Sequence, residues 1–371
     1  MPHLSCVHVP STALGPSQAS GLASSPSPSP APTPPKYQRP SSFTRVHFFL
    51  KIWLMKGMAT LFFKTIRLIH ARQLRGFLPN YTKCYPVRPT LENRIFLPKA
   101  YTSTDTDTNT NTKTTKYPLL ITIHGGGFVL CDPTMDDEFN RLFADTYSFI
   151  VVGVNYHKAP GGTGTFPGPV HDIGAIVESI LSDSSLSAIV DTANISLAGF
   201  SAGGNLSLAV AQLPALKDKI RSIIPVYPVV DFTGQHKGAF RTSPDGKPDL
   251  LKDLGPLFNW AYIPPDTDLS NTLLSPICAD RKTQLPQRIF FIGAEYDSLC
   301  HEAEVMAKKF AGLEEASDIG TQWEENGIKW RMVPDVTHAW THQPLKNPEA
   351  EKKRKKDLEG LYREMADWLR R

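Results

Sequence analysis

Short runs of apolar, mostly β-branched or aromatic residues recur along the chain, each closed by glycine or a polar turn. Pro118 to Ile123, Ile195 to Phe200, Ile223 to Asp231, Arg288 to Gly293 and Lys329 to Val333 are the clearest. Their apolar positions are largely continuous rather than alternating, the pattern of parallel strands covered on both faces. Leu206–Leu213 and Asn347–Arg371 read as helices. Strands therefore alternate with helices, which predicts an α/β domain around a mostly parallel sheet. The alternation breaks after Asp231, where residues 232 to 276 are rich in Pro, Asp and Gly. That stretch is expected to be an insertion rather than part of the sheet.

Two glycine-rich segments come directly after predicted strands. His124-Gly125-Gly126-Gly127-Phe128 comes after Ile123, and Gly199-Phe200-Ser201-Ala202-Gly203-Gly204 lies between a strand and a helix. The second has the Gly-x-Ser-x-Gly form of a nucleophile elbow, a strained turn in which glycine removes Cβ atoms that would collide. The helix after it points free N–H groups and its positive dipole end toward Ser201, so the Ala202 N–H is a natural donor to an oxyanion. Gly125, Gly126 and Gly127 let the backbone approach a ligand and turn further N–H groups inward. Donors of this kind contribute about 3–4 kcal/mol each to acyl transfer. His124 is expected to brace the turn by hydrogen bonding rather than to act as a base.

A serine nucleophile needs a base, and the base an orienting carboxylate. The Arg288–Gly293 run leads into Ala294-Glu295-Tyr296-Asp297-Ser298, and the Lys329–Val333 run into Pro334-Asp335-Val336-Thr337-His338. Asp297 and His338 are the acid and base of choice, in the order Ser, Asp, His that this kind of sheet uses. Glu295 and Glu302 compete for the acid and His342 for the base. Glu295 lies nearer the strand, Glu302 falls in the following helix, and His342 lies a turn beyond the strand end.

On these residues the chain resembles the hormone-sensitive-lipase-like branch of the α/β-hydrolases, which includes microbial carboxylesterases and arylacetamide-deacetylase-type enzymes. The resemblance runs from about residue 85 to 371 through His124–Phe128, Asn155-Tyr156-His157-Lys158-Ala159-Pro160, Phe166-Pro167 with Asp172, Gly199–Asn205, Asp297–Glu302 and His338. It implies an α/β-hydrolase fold with a helical cap, with Ser201 as nucleophile, Asp297 as acid and His338 as base. It further implies an oxyanion hole from the Gly125–Gly127 loop and Ala202. Three segments depart from the family's habit: Asn155 to Gly161 replaces Asp-Tyr-Arg-Leu-Ala-Pro-Glu, Asp297 to Glu302 replaces Asp-x-Leu-x-Asp-Glu, and His338-Ala339-Trp340 replaces His-Gly-Phe. None removes a proposed catalytic group; they touch supporting contacts and the pocket wall. The implied activity is hydrolysis of a small-to-medium hydrophobic ester, a substrate with which Phe128, Trp260, Trp340 and the N-terminal aromatics are compatible. Two alternatives stay open: a tailoring enzyme of secondary metabolism (transacylase, thioesterase or dehydratase) and a non-catalytic ligand receptor. No cofactor or metal is called for.

Composition adds bounds. With 371 residues, 41% hydrophobic, the chain can hold one large domain plus attachments. A net charge of +4 does not suggest a nucleic-acid partner. The basic run Lys352–Lys356 alternates with carboxylates along the C-terminal helix and reads as a solvated face. Five scattered cysteines favour a reducing compartment. Residues 1 to 42 are Pro/Ser-rich, without the succession of a secretory signal, and are expected to be disordered. The expected location is intracellular, cytoplasmic or peripherally membrane-associated. Residues 43 to 84 contain an apolar segment, 46 to 67, interrupted by Lys51, Lys56, Lys64 and Arg67. The basic residues make it a poor transmembrane span, so it is expected to be an amphipathic helix serving as part of the cap or as a peripheral membrane contact. Residues 85 to 371 form the expected catalytic domain, with the cap insertion at about 232 to 276. The Thr-rich stretch 102 to 112 reads as an exposed loop.

Overall fold

The computed structural model of the chain describes residues 34–101, 115–244, 246 and 248–371. Most of the Pro/Ser-rich leader and the Thr-rich stretch expected to be a loop lie outside the described residues. Residues 34–41, assigned to the disordered segment by composition, are ordered. The Tyr37 N–H donates to the Thr267 carbonyl at 2.9 Å and its carbonyl accepts from the Asp266 N–H at 3.1 Å. Backbone pairing to a segment distant in sequence supplied what the local composition lacked.

Helix α1 (Ser42–Ile69) leads into β1 (Tyr81–Tyr85) and β2 (Arg88–Phe96). The sheet thus begins at Tyr81, inside the segment assigned to the N-terminal helix. Next come β3 (Tyr117–Ile123), α2 (Asp137–Tyr147), β4 (Ile150–Val154), α3 (Gly168–Leu181), β5 (Val190–Phe200), α4 (Ala202–Ala211) and β6 (Ser222–Val226). The chain closes with α5 (Leu251–Tyr262), β7 (Arg288–Tyr296), α6 (Leu299–Ala311), β8 (Gln322–Glu325), β9 (Ile328–Thr337) and α7 (Pro348–Arg370). Among the described residues the strands form one sheet in the order β1-β2-β4-β3-β5-β6-β7-β9-β8. From β4 through β9 neighbours are parallel; β1, β2 and β8 run antiparallel at the edges.

The continuous apolar runs now have a physical reason. Successive side chains of a strand leave opposite faces, and each face carries its own core. Leu119, Ile121 and Ile123 of β3, with Ile289 and Phe291 of β7, face a core filled by α3, α4 and α6. Leu120 and Val151, with Phe290 and Ile292, face the other, filled by Phe139 and Phe143 of α2 and by Leu361, Met365 and Trp368 of α7. A helix-covered sheet of this kind presents its site at the carboxyl ends of its strands.

Helix α1 differs from its expectation. By length and composition Ser42–Ile66 is long and apolar enough to cross a membrane, because its lysines are spaced far enough apart to leave an 18-residue apolar window. It carries apolar residues on both its inner and its outer face. Ile52 is buried against the domain, and Phe48 and Met55 pack beside it. Phe43, Leu50, Leu54, Leu61 and Leu68 point outward and are exposed.

Candidate active site

Ser201 stands immediately beyond β5, Asp297 immediately beyond β7 and His338 immediately beyond β9. Parallel pairing of β5 through β6 to β7 and on to β9 therefore brings together three residues that are far apart in sequence. Ser201 Oγ lies 2.8 Å from His338 Nε2, and His338 Nδ1 lies 2.6 Å from Asp297 Oδ2. The other Asp297 oxygen accepts the Leu299 N–H at 3.0 Å. Ser201 has φ 55° and ψ −117°, a strained conformation for a residue with a Cβ. Its own N–H donates to the Val226 carbonyl at 2.9 Å, and its carbonyl accepts from Gly204 and Asn205. The turn is thereby held from both sides. Gly203 is required by the close approach of elbow and β3: a Cβ there would lie 2.0 Å from the Ile123 carbonyl oxygen.

Burial would by itself depress the His338 imidazole. The charge of Asp297 and its hydrogen bond outweigh that, so the group is held above its ordinary value of 6.5. His124 is the opposite case. It is buried beside Lys158 and held well below its ordinary value. Its Nδ1 lies 2.7 Å from the Gly125 carbonyl oxygen, and its ring stacks on Tyr156 at 4.5 Å. His124 thus faces its own loop and not Ser201.

The glycine loop abuts the elbow, since a Cβ on Gly125 would come within 2.9 Å of the Phe200 carbonyl oxygen. The Gly126 carbonyl accepts from the Val129 and Leu130 N–H groups, which closes the loop. Gly127 and Ala202 line, with Ser201, a cavity of about 430 Å³ whose walls include Phe128, Phe232 and Phe258. Trp260 and Trp340 do not line it, contrary to expectation. Trp260 lies edge-on to Phe48 of α1, and Trp340 borders a separate cleft beside Thr337. Each is turned away by the element that carries it. A larger cleft of about 600 Å³ lies at the other end of β5, around Val190 and Arg221, and holds none of the candidate residues.

The competitors are occupied elsewhere. Glu295 accepts the Asp335 N–H at 2.9 Å. Glu302 accepts the Val230 and Asp231 N–H groups at 2.7 and 3.2 Å, and burial raises its carboxyl well above the usual range. His342 Nε2 lies 2.9 Å from Asp136 Oδ1. The Asn155–Gly161 segment, which departs from the family habit, is held by neighbouring elements. Asp172 binds Arg88 Nε at 2.5 Å and the His157 ring at 2.7 Å, and the Ala159 N–H donates to the Phe128 carbonyl at 3.0 Å.

Two residues were not anticipated. Asp249, in the insertion, accepts the Ser298 N–H at 2.8 Å with one oxygen and the Leu251 N–H at 2.8 Å with the other. It ties the insertion to the loop of Asp297. An Asp shortly before an apolar helical run is a legible N-terminal signal, although its second partner is not. Tyr227 (φ 38°) places its ring edge-on to His338 at 5.1 Å, and its hydroxyl is hydrogen-bonded to Thr341.

A family model described as alpha/beta hydrolase fold matches residues 120–326, more than half of the chain. This protein belongs to that family. The α/β hydrolase is 32% identical over 197 residues to an arylesterase of Saccharolobus solfataricus, covering 52% of this chain and 62% of that protein. It is 27% identical over 265 residues to arylacetamide deacetylase of Bos taurus, covering 65% and 62%. The chain thus spans less than two thirds of the length of these curated relatives. In fold it is similar to an esterase of Pyrobaculum calidifontis, with a TM-score of 0.62 at 20% identity over 89% of this chain and 97% of that one.

Proposed function

We propose that this α/β hydrolase is a serine carboxylic-ester hydrolase that works through an acyl-enzyme. The observation that carries the reading is the unbroken hydrogen-bonded line from Ser201 through His338 to Asp297 at the edge of a largely apolar cavity. The names of the relatives, arylesterase and deacetylase, agree with it.

In this mechanism Ser201 Oγ attacks the ester carbonyl carbon while His338 Nε2 takes the hydroxyl proton. Asp297 holds the proton on Nδ1 and stabilises the imidazolium. The carbonyl oxygen becomes an oxyanion and receives hydrogen bonds from the N–H groups of the Gly125–Gly127 loop and of Ala202. His338 returns the proton to the leaving alcohol as the C–O bond breaks. It then takes a proton from water, whose oxygen attacks the acyl carbon, and gives that proton to Ser201 as the acid leaves. A cavity of about 430 Å³ with aromatic walls suits a small-to-medium hydrophobic acyl or alcohol group.

The test is hydrolysis of p-nitrophenyl acetate, butyrate and octanoate by the purified protein beside Ser201→Ala. The expected result is turnover that disappears in the variant while the fold is retained. Turnover that survives in Ser201→Ala, or none in either protein, would overturn the reading; acyl transfer only when an acceptor alcohol or thiol is added would replace hydrolysis by a tailoring reaction.

A further inference from the structure

We propose that α1 is a lipid-docking element that lies in the plane of an anionic membrane surface with its outer face embedded. A helix of 28 residues is about 42 Å long, and a helix whose inner and outer faces are both apolar is ordinarily buried. This one is not: Leu50, Leu54, Leu61 and Leu68 are 63 to 80% exposed, with Phe43, Trp53 and Phe62 among their exposed neighbours. An uncovered apolar strip of that length marks an interaction surface.

The charge of the chain says what covers it. All 36 Asp and Glu residues lie at or after Glu92, whereas 11 of the 40 Lys and Arg precede it. The first 91 residues therefore carry +11 (11 against 0) and the remainder −7 (29 against 36). Lys51, Lys64, Arg72 and Arg75 are exposed on and just after α1. Lys83 and Arg88 of that stretch are paired with Asp183 and Asp172, so the cations that an anionic surface attracts are those on and just after α1, which sets the orientation. A second copy meeting the same face would bring two cationic ends together, so self-association is disfavoured.

The inner face argues for lying on the membrane rather than crossing it. Ile52 is fully buried against the domain, Phe48 meets Trp260 of α5 at 5.9 Å, and Lys56 Nζ donates to the Ala159 carbonyl at 2.6 Å. Crossing would forfeit these contacts. Lying flat keeps them and holds α5, which also carries Phe258 and Asn259 of the cavity wall, beside the bilayer.

The test is co-sedimentation of the full chain with phosphatidylcholine vesicles with and without phosphatidylserine. Binding is expected to require phosphatidylserine and to weaken as salt rises. Leu54→Glu with Leu61→Glu should abolish binding and leave the thermal midpoint and p-nitrophenyl acetate hydrolysis unchanged. Lys51→Glu with Lys64→Glu should weaken it at least about tenfold. Failure to bind, binding that ignores these substitutions, resistance to alkaline carbonate extraction, or concentration-dependent self-association without vesicle binding would each overturn the proposal. Since the readout is binding, its failure is distinct from failure of the hydrolase reading.

Discussion

Replacing Asp297 by Asn changes one atom, and the hydrogen bonds around it dictate the outcome. The Leu299 N–H keeps hold of Oδ1 at 3.0 Å, so the new amide nitrogen takes the place of Oδ2, 2.6 Å from His338 Nδ1. The amide is a donor there and selects the tautomer with its proton on Nε2. That N–H then points at Ser201 Oγ, 2.8 Å away, and the base is lost. Asp297 is fully buried and His338 is 5% exposed, so water does not restore the bond. A wrong tautomer in such a triad costs about ten-thousandfold in kcat, or about 5 kcal/mol of transition-state stabilisation. The pH dependence shifts with a definite sign. In the proposed mechanism hydrolysis requires neutral His338, so wild-type activity is expected to fall as pH drops through a pKa held above 6.5. In Asp297→Asn the raising influence of the carboxylate is gone and burial remains, so the acid limb of the residual activity moves to lower pH. The assay is kcat/KM for p-nitrophenyl butyrate across pH, with circular dichroism to confirm the fold. A loss under about tenfold with an unmoved acid limb would refute the assigned role of Asp297.

The same geometry sets the outcome of other substitutions. Glu302→Gln keeps an acceptor for the Val230 and Asp231 N–H groups and should change stability little, whereas Glu302→Ala strands both and should cost about 1–3 kcal/mol per group, read as a lower urea midpoint. Gly203→Ala drives a Cβ to within 2.0 Å of the Ile123 carbonyl and should cost about 3 kcal/mol together with most activity, checked by thermal melting and ester hydrolysis. Trp368→Ala empties a fully buried site against Phe290 and should cost about 3–5 kcal/mol in urea unfolding, with kcat of the remaining folded protein unchanged. His342→Ala removes the bond to Asp136 and leaves the Ser201–His338 pair in place, so hydrolysis should persist within about tenfold of wild type; a loss as large as that of Asp297→Asn would make His342 a participant.

The sequence by itself determined the alternation of covered strands and helices, the elbow at Ser201, and the placement of Asp297 and His338 just beyond strand ends. These are local properties. Apolar runs specify strands buried on both faces, and glycine at 199, whose Cβ would lie 2.1 Å from the Gly203 carbonyl oxygen, answers a backbone approach within one strand–turn–helix unit. Only the tertiary structure decided which candidates meet. The parallel register of β5, β6, β7 and β9 carries Ser201 to His338, and it is the pairing of Glu302 with Val230 and of His342 with Asp136 that removes them from contention. The ties of Asp249 to Ser298 and of Tyr227 to Thr341, like the turning of Trp260 toward α1, depend on residues brought together by packing. The same holds for α1: its composition told of apolar residues and lysines, but where the helix docks decides which of them face the domain. A hydrogen-bond partner is a position in space, and spacing along the chain encodes it only where the intervening backbone is itself a single regular unit.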